Sequence, residues 1–545
     1  MLLIMNAIAH GEVNTIAVRP SGGDDTRVIQ TAIDSAATLG GEPVVIMLEP
    51  GQYNISRTES SRHIYHISNT ASAQENPDPT KHIGLWFKNL RNVTLDGRGA
   101  TLVTHGEMTS FVIDSCADIT LKNFSLTAAD PSVTEFTVLT VEPKAFTFKV
   151  TPPSRFEISE SGNFSWIGDG WRFADGTGRL PEYAQVYYPD RNVTLRCPSP
   201  FSGRTKAALI GPDTVRMEFD KHPDVHTGEV YQMRHGIRNE VCGFINLSRD
   251  VMLDNIDFNF MGNFGIVGQY SENLTYNNIC CRPRPGSGRT NAGFADFVQM
   301  SGCRGKIRIL DSHFEGAHDD PINVHGTHLK IIQIHPVERT VTVRFMHPQT
   351  YGFTPFFPGD DIEIVDVHSL RCIAPAKVVA VTRLNDYEYS LALDRELPAG
   401  LNTADFAIEN VTWTPEVEIR GCYFARIPTR GILITTRGKS VIEDNTFYRL
   451  PMPAILVADD ARSWYESGPV KDLTILRNTF IGCSEPVIDV RPENDRDEGP
   501  VHSNIAIEDN RFIIGSSSQS TLQTLIQLRG AEGTKIFGNT IITSE

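Results

Sequence analysis

The chain has 545 residues, 40% of them hydrophobic, and a formal net charge of −16. That is enough for two to four domains, or for one long repeat domain with insertions. The acidic balance argues against a nucleic-acid or anionic-membrane partner, which would want a basic face. No run of about 18 apolar residues occurs, so no helix is expected to span a membrane.

The start, MLLIMNAIAHGEV, has the character of the end of a secretory signal. Leu2 to Met5 are apolar, and Ala7-Ile8-Ala9 has the small-x-small pattern of a cleavage site. Residues 1–9 are therefore expected to be the remnant of an export signal. Next comes IAVRPSGGDDTRVIQTAIDSAATLGGEPVVIMLEPGQY. Asp24 or Asp25 can cap a helix with Val28, Ile29, Ala32, Ile33 and Ala36 on its apolar face. Gly40-Gly41 stops it, Val44 to Leu48 reads as a buried strand, and Pro50-Gly51 is a turn. The arrangement resembles the N-terminal cap of pectin-lyase-like right-handed parallel β-helices, where a helix covers an end that would otherwise expose core and strand edges.

After a polar linker, one shape recurs: an alternating strand, Asn or Asp-Gly, then further apolar residues. It appears at Asn92–Gly97, Asp118–Phe124, Val251–Phe258, Leu274–Ile279 and Ile307–Phe314. It returns as VIEDNTF, LTILRNTF, IAIEDNRF and KIFGNTI, with Asn445, Asn478, Asn510 and Asn539 at the same place. Short strands repeating every 20–40 residues indicate a solenoid, and these asparagines read as laddered turn formers, not ligands. Two stretches, 132–235 and 329–412, keep the strand alternation but lose the repeat. Both read as small inserted β-barrel or sandwich domains. The expected layout is thus 10–131 cap and first rungs, 132–235 first insert, 236–328 central rungs, 329–412 second insert, and 413–545 last rungs. The second insert leaves the coil where it could wall a site.

Nine cysteines carry no paired spacing for zinc. Cys280 and Cys303 lie 303 − 280 = 23 residues apart and read as stacked core residues, with a disulfide left open. The chemistry concentrates in GFADFVQMSGCRGKIRILDSHFEGAHDDPINVHGTH, residues 293–328. Asp296 and Asp319 are also 319 − 296 = 23 residues apart, which on a coil of that period puts one above the other with Asp320 alongside. Pro321 removes a ladder donor and so places the pair at a strand edge. Three close carboxylates raise one another's pKa, and a protonated acid beside an ionised base is what glycoside hydrolysis needs. His318, His325, His328, Arg282, Arg284, Arg430, Arg437 and Trp464 are candidate sugar contacts.

FADF…GAHDDPINVHGTH, the GGDDT…AIDSA…GG cap and the two inserts together resemble family 110 glycoside hydrolases, bacterial α-1,3-galactosidases that include blood group B-cleaving members. The resemblance implies a parallel β-helix, an inverting reaction on a glycan with terminal α-galactose, no cofactor or metal, and an exported enzyme. It places the three essential aspartates on Asp296, Asp319 and Asp320. By analogy with polygalacturonases, Asp319 is expected as the acid, with Asp296 and Asp320 holding the water. The inserts leave room for a homodimer. A polygalacturonase-like hydrolase, a calcium-dependent lyase and a non-enzymatic sugar-binding adhesin are the competing readings on the same fold.

Overall fold

A computed structural model describes residues 5–6, 13–176, 182–516 and 518–544. Most of the proposed signal remnant, residues 1–4 and 7–9, lies outside the described residues. The rest forms a parallel β-helix. Helix Thr26–Ala37 buries Ile29, Ala32, Ile33 and Ala36 against its first rungs. Asp25 stands at the N-cap position without a side-chain cap bond; its carboxylate instead accepts the amides of Ser21 and Asn54 at 2.6 and 3.0 Å, and Asp24 accepts that of Thr26 at 2.9 Å.

One face of the coil holds the strands with the recurring Asn/Asp motif. Asn92, Asp118, Asp250 and Asn273 begin those motifs with φ of 56, 56, 55 and 55°. Asn and Asp tolerate this left-handed region better than other L-residues, because a short polar side chain can hydrogen-bond locally. That is why the corners recur in the sequence. The C-terminal asparagines stack as a ladder: Asn445 donates to Asn478, Asn478 to Asn510 and Asn510 to Asn539, at 2.9, 3.0 and 2.9 Å. Beside them Phe424, Phe447, Phe480 and Phe512 stack at 4.6, 5.0 and 5.0 Å, each contact adding about 0.5–1.5 kcal/mol beyond area burial.

A second face matters more for the site. Its parallel strands include Phe264–Gln269, Val298–Ser301, Ile322–Thr327, Ile432–Ile434, Ile455–Val457 and Ile488–Val490. Ile266, Val298, Ile322, Ile432, Ile455 and Ile488 form one inward row in the main core. Their successors Val267, Gln299, Asn323, Leu433, Leu456 and Asp489 are in register in the next row, and side chains alternate along a strand, so this row faces outward.

The first insert is an open seven-stranded antiparallel sheet between Thr134–Glu142 and Val230–His235, with a three-stranded ribbon beside it and a core of Phe136, Phe146, Phe148, Phe164, Trp166 and Phe201. The second is a closed six-stranded barrel from Leu329–His335 to Phe406–Asn410. The coil's Tyr270 enters the barrel core and donates its hydroxyl to the Pro355 carbonyl at 3.1 Å.

Two spacing expectations are corrected. The period of 23 holds between Arg249 and Glu272, but the next rung pairs Leu274 with Ile307, a step of 307 − 274 = 33. Cys280 therefore lies beside His313, not Cys303. All nine cysteines are free thiols.

Candidate active site

The strands of the second face pair Val298 with Ile322, a step of 322 − 298 = 24, and Ile322 with Ile432. Asp296, Asp320 and Arg430 each stand two residues before these partners. The expectation that Asp319 stacks on Asp296 is thus off by one: the rung equivalent of Asp296 is Asp320, and Arg430 follows on the next rung. Rungs lie about 4.8 Å apart, so the sequence Asp-Asp-Arg runs down one corner of the coil. Pro321 ends the irregular segment, and its carbonyl accepts the Val298 amide at 2.9 Å. Gly265, one rung earlier, lets Asp296 sit this close: a β-carbon there would come within 2.2 Å of the Asp296 carbonyl oxygen.

The three carboxylates differ in surroundings. Asp296 is buried, 6% exposed. Burial and the charges of Asp319 and Asp320 push its pKa well above the carboxylate range, with Arg238 opposing. Asp320, 1% exposed, is held by Arg430: Nε reaches Oδ1 and Oδ2 at 3.0 and 2.9 Å, Nη2 reaches Oδ2 at 2.6 Å, and the Arg430 amide donates to Oδ1 at 3.1 Å. Burial raises Asp320 against the pull of Arg430, and the forked guanidinium contact favours its ionised form. Asp319 is the carboxylate nearest solvent, its side chain 19% exposed, and Arg196 of the first insert meets it at 2.9 Å. Burial alone would raise Asp319, but Arg196, Arg238, Arg430 and Arg234 outweigh it and lower the pKa. Of the three carboxyls Asp296 is pushed well up, Asp320 is raised and Asp319 is pulled down, so their proton affinities are unequal.

All three aspartates, with Arg430 and Trp464, line one cavity of about 470 Å³ over the outward row of Asn323, Leu433 and Leu456. Asn69, from the first rungs, and the crossing segment 459–466 complete its wall. The second insert backs the wall. Thr350 donates to the Asn69 side-chain carbonyl at 2.9 Å, and His347 stacks under Trp464, 43% exposed, at 4.3 Å.

Several other candidates are placed elsewhere. His318 is buried and accepts from Arg234 Nε at 3.2 Å; burial and that cation hold it well below its ordinary pKa, so it is neutral. His328 is buried against Asp459 at 3.1 Å. Burial lowers it, but Asp459 and Glu409 outweigh that and raise its pKa. His325 is buried and bonds the Gly326 carbonyl at 2.7 Å. Arg437 ties the coil to the barrel through Glu363 at 2.6 Å and through Glu409 at 2.5 Å. None of these four lines the cavity, nor do Arg282 and Arg284 in the loop after Glu272–Cys281. Conversely, Arg196, Arg238, Asn69, Asn323 and Glu466 escape a reading of the sequence. Only Glu466 carries a hint, as the neighbour of Trp464 and Tyr465. The others come from segments 69 to 238 and a strand interior, and nothing local marks them.

Comparison with known proteins agrees with this architecture. Residues 340–406 match the model of the GLAA-B beta-barrel domain II, inside the second insert. The chain is 47% identical over 527 residues to alpha-1,3-galactosidase A of Bacteroides thetaiotaomicron, covering 96% of this chain and 91% of that one. It is 37% identical over 526 residues to alpha-1,3-galactosidase A of Bacteroides fragilis, covering 95% and 84%. It is also 30% identical over 531 residues to alpha-1,3-galactosidase B of Bacteroides thetaiotaomicron, covering 94% and 84%. Each of these alignments covers at least 94% of the chain, and by that extent and identity the chain belongs to the α-1,3-galactosidase family.

Proposed function

We propose that the protein is an exo-acting α-1,3-galactosidase that removes terminal α-1,3-linked galactose from glycans such as the blood group B antigen, with inversion. The observation that carries this is the single cavity into which three carboxylates of unequal proton affinity converge.

Inversion needs one carboxylic acid at the glycosidic oxygen and one carboxylate activating water on the other face of the ring. Asp296 is pushed toward its protonated form and Asp319 toward its ionised form, the reverse of an allocation with Asp319 as acid. The cause of Asp319's low pKa suggests how the two are reconciled. A glycan entering between Arg196 and Asp319 removes the nearest cation, and burial then pushes Asp319 upward. The proton passes from Asp296 to Asp319, which delivers it to the leaving oxygen. Asp296 and Asp320, now both ionised, hold the attacking water. Arg430 keeps Asp320 in place throughout.

Incubating the protein with B-type trisaccharide and with linear α-1,3-galactobiose tests this, with NMR of the first galactose released. β-Galactose appearing first supports inversion; α-galactose first overturns it. Asp319→Asn should cut hydrolysis of both glycans by about 10²–10⁴-fold yet spare aryl galactosides with good leaving groups. Equal loss on both removes the acid role. The same reading has the enzyme exported, on the strength of its apolar start and Ala7-Ile8-Ala9, and acting as a homodimer, which light scattering in solution tests.

A further inference from the structure

Beyond the three aspartates, the cavity is also lined by Asp459, Asp460, Glu466 and Glu493, and Glu466 is one that the reaction above does not use. Glu466 lies on the short strand Glu466–Ser467, which crosses the coil antiparallel to Ile322–Thr327 and pairs Thr327 with Glu466. Its side chain is 12% exposed and lines the cavity. It is braced from two directions. Asn69 Nδ2 donates to Oε1 at 3.1 Å and Asn323 Nδ2 donates to the same oxygen at 3.4 Å, while His325 Nε2 stands 3.6 Å away. Among the described residues the hydrogen bonds to the Glu466 side chain fall on Oε1 and none falls on Oε2. Next to it the Asn323 side-chain carbonyl, on a residue only 5% exposed, lacks a partner, as does Nε2 of the fully buried Gln299.

Buried polar atoms are rarely left unsatisfied, and each such group costs free energy until something bonds it. Asn323 Oδ1 is such an atom, and it sits with the carboxylate of Glu466 in the lining of the cavity that holds the three aspartates. Their complement is a hydroxyl-rich ligand with donors on neighbouring carbons. Four chain segments, around residues 69, 299, 323 and 466, converge to hold this edge, and Thr350 of the barrel fixes Asn69 in turn. A carboxylate so fixed has lost little freedom when it takes up a hydroxyl, which favours recognition over mobility.

We propose that Glu466 is a specificity-determining residue. Its unbonded oxygen accepts hydrogen bonds from a ring hydroxyl of the terminal hexose, with Asn323 beside it and Asn69 as its brace. This rests on the galactosidase reading, and it adds a substrate contact outside the aspartate trio. A site built to bond a sugar hydroxyl rejects the deoxy analogue far more strongly than an apolar pocket rejects a missing methylene, because the buried acceptor is then left bare.

Glu466→Gln tests it. Glutamine keeps an oxygen for the two asparagines and replaces the free acceptor with a donor, with almost no change of shape. kcat/KM is measured for native and variant enzymes on an α-1,3-galactoside and on its 2-, 3- and 4-deoxygalactosyl analogues. The variant should lose about 10²-fold on the parent. On one analogue, which lacks the hydroxyl that Glu466 bonds, native and variant should become equal to within about 3-fold. Asn69→Ser, which loosens the brace, should show the same pattern with a smaller loss. An active native enzyme with the same native-to-variant ratio on all four substrates overturns the role of Glu466. A native enzyme that leaves the parent uncut overturns the galactosidase reading beneath it.

Discussion

The two inserts back the same cavity, each through contacts to residues that line it, with different chemistry. The first brings charge. Arg196 contacts Asp319 at 2.9 Å, and Arg234, stacked over Phe294 at 4.4 Å, adds a second cation behind His318. Burial pulls Arg234 down to about 9, so it is still charged at neutral pH. The second brings neutral surface: the Thr350 hydroxyl, the His347 ring under Trp464, and a barrel whose nearby acids Glu363 and Glu409 are taken up by Arg437. One insert sets proton affinities in the acidic corner and the other shapes a wall. Both are small β modules with cores of their own, so fold alone does not tell which does what.

Four measurements break or sharpen that contrast. The largest effect is expected from neither insert but from the coil that both serve. Arg430→Ala leaves Asp320 buried and uncompensated, which costs about 3–5 kcal/mol in chemical denaturation and abolishes detectable turnover. Arg430→Lys keeps a charge but loses the fork and should recover only part of either.

Next is Arg196→Ala, on the first insert. Its side chain is 55% exposed, so the melting temperature should hardly change. Arg196 is the largest influence lowering Asp319, so its loss raises that carboxyl. The pH–rate profile of kcat/KM should move its alkaline limb to higher pH if Asp319 is the acid. Movement of the acidic limb instead would make Asp319 a base.

His347→Ala, on the second insert, should do the opposite. It removes the ring beneath Trp464, and an aromatic pair is worth about 0.5–1.5 kcal/mol. KM should rise by about 3–10-fold, the equivalent of that energy, with the pH profile unmoved. If His347→Ala shifts the pH profile or Arg196→Ala raises only KM, the division of labour between the inserts is wrong.

The smallest effect is on stability. The folded pKa of Asp296 is raised, so this group contributes stability that is fully present below the unfolded carboxyl pKa. That contribution is lost as pH rises toward the folded value. Asp296→Asn removes the loss. The variant should therefore melt above the native protein at pH 7, and the gap should close as pH falls below about 4, the ordinary aspartate range.

Much of the scaffold could be read along the chain. The motif asparagines mark corners because residues such as Asn92 and Asn273 must take positive φ, and the C-terminal four stack because each has an amide donor and acceptor one rung from the next. Asp296, Asp319 and Asp320 stood out for the same reason of repetition. Where the reading failed, the failure was one of register. A period of 23 is local to a few rungs: a step of 313 − 280 = 33 puts Cys280 beside His313, and a step of 322 − 298 = 24 sets Asp296 level with Asp320. The histidines of 318–328 looked like ligands from their neighbours in sequence, yet burial against Arg234 and Asp459 occupies two of them.

The order of residues alone thus decided the coil, its cap, the two interruptions and the acidic corner, since each depends on contacts repeated at short intervals. Tertiary structure alone decided which cations and amides meet that corner. Arg196, Asn69 and Glu466 lie on separate loops and inserts, with no periodic relation to the aspartates. Only the closing of those segments over the coil, where buried charge and unbonded oxygen become costly, gives them their place.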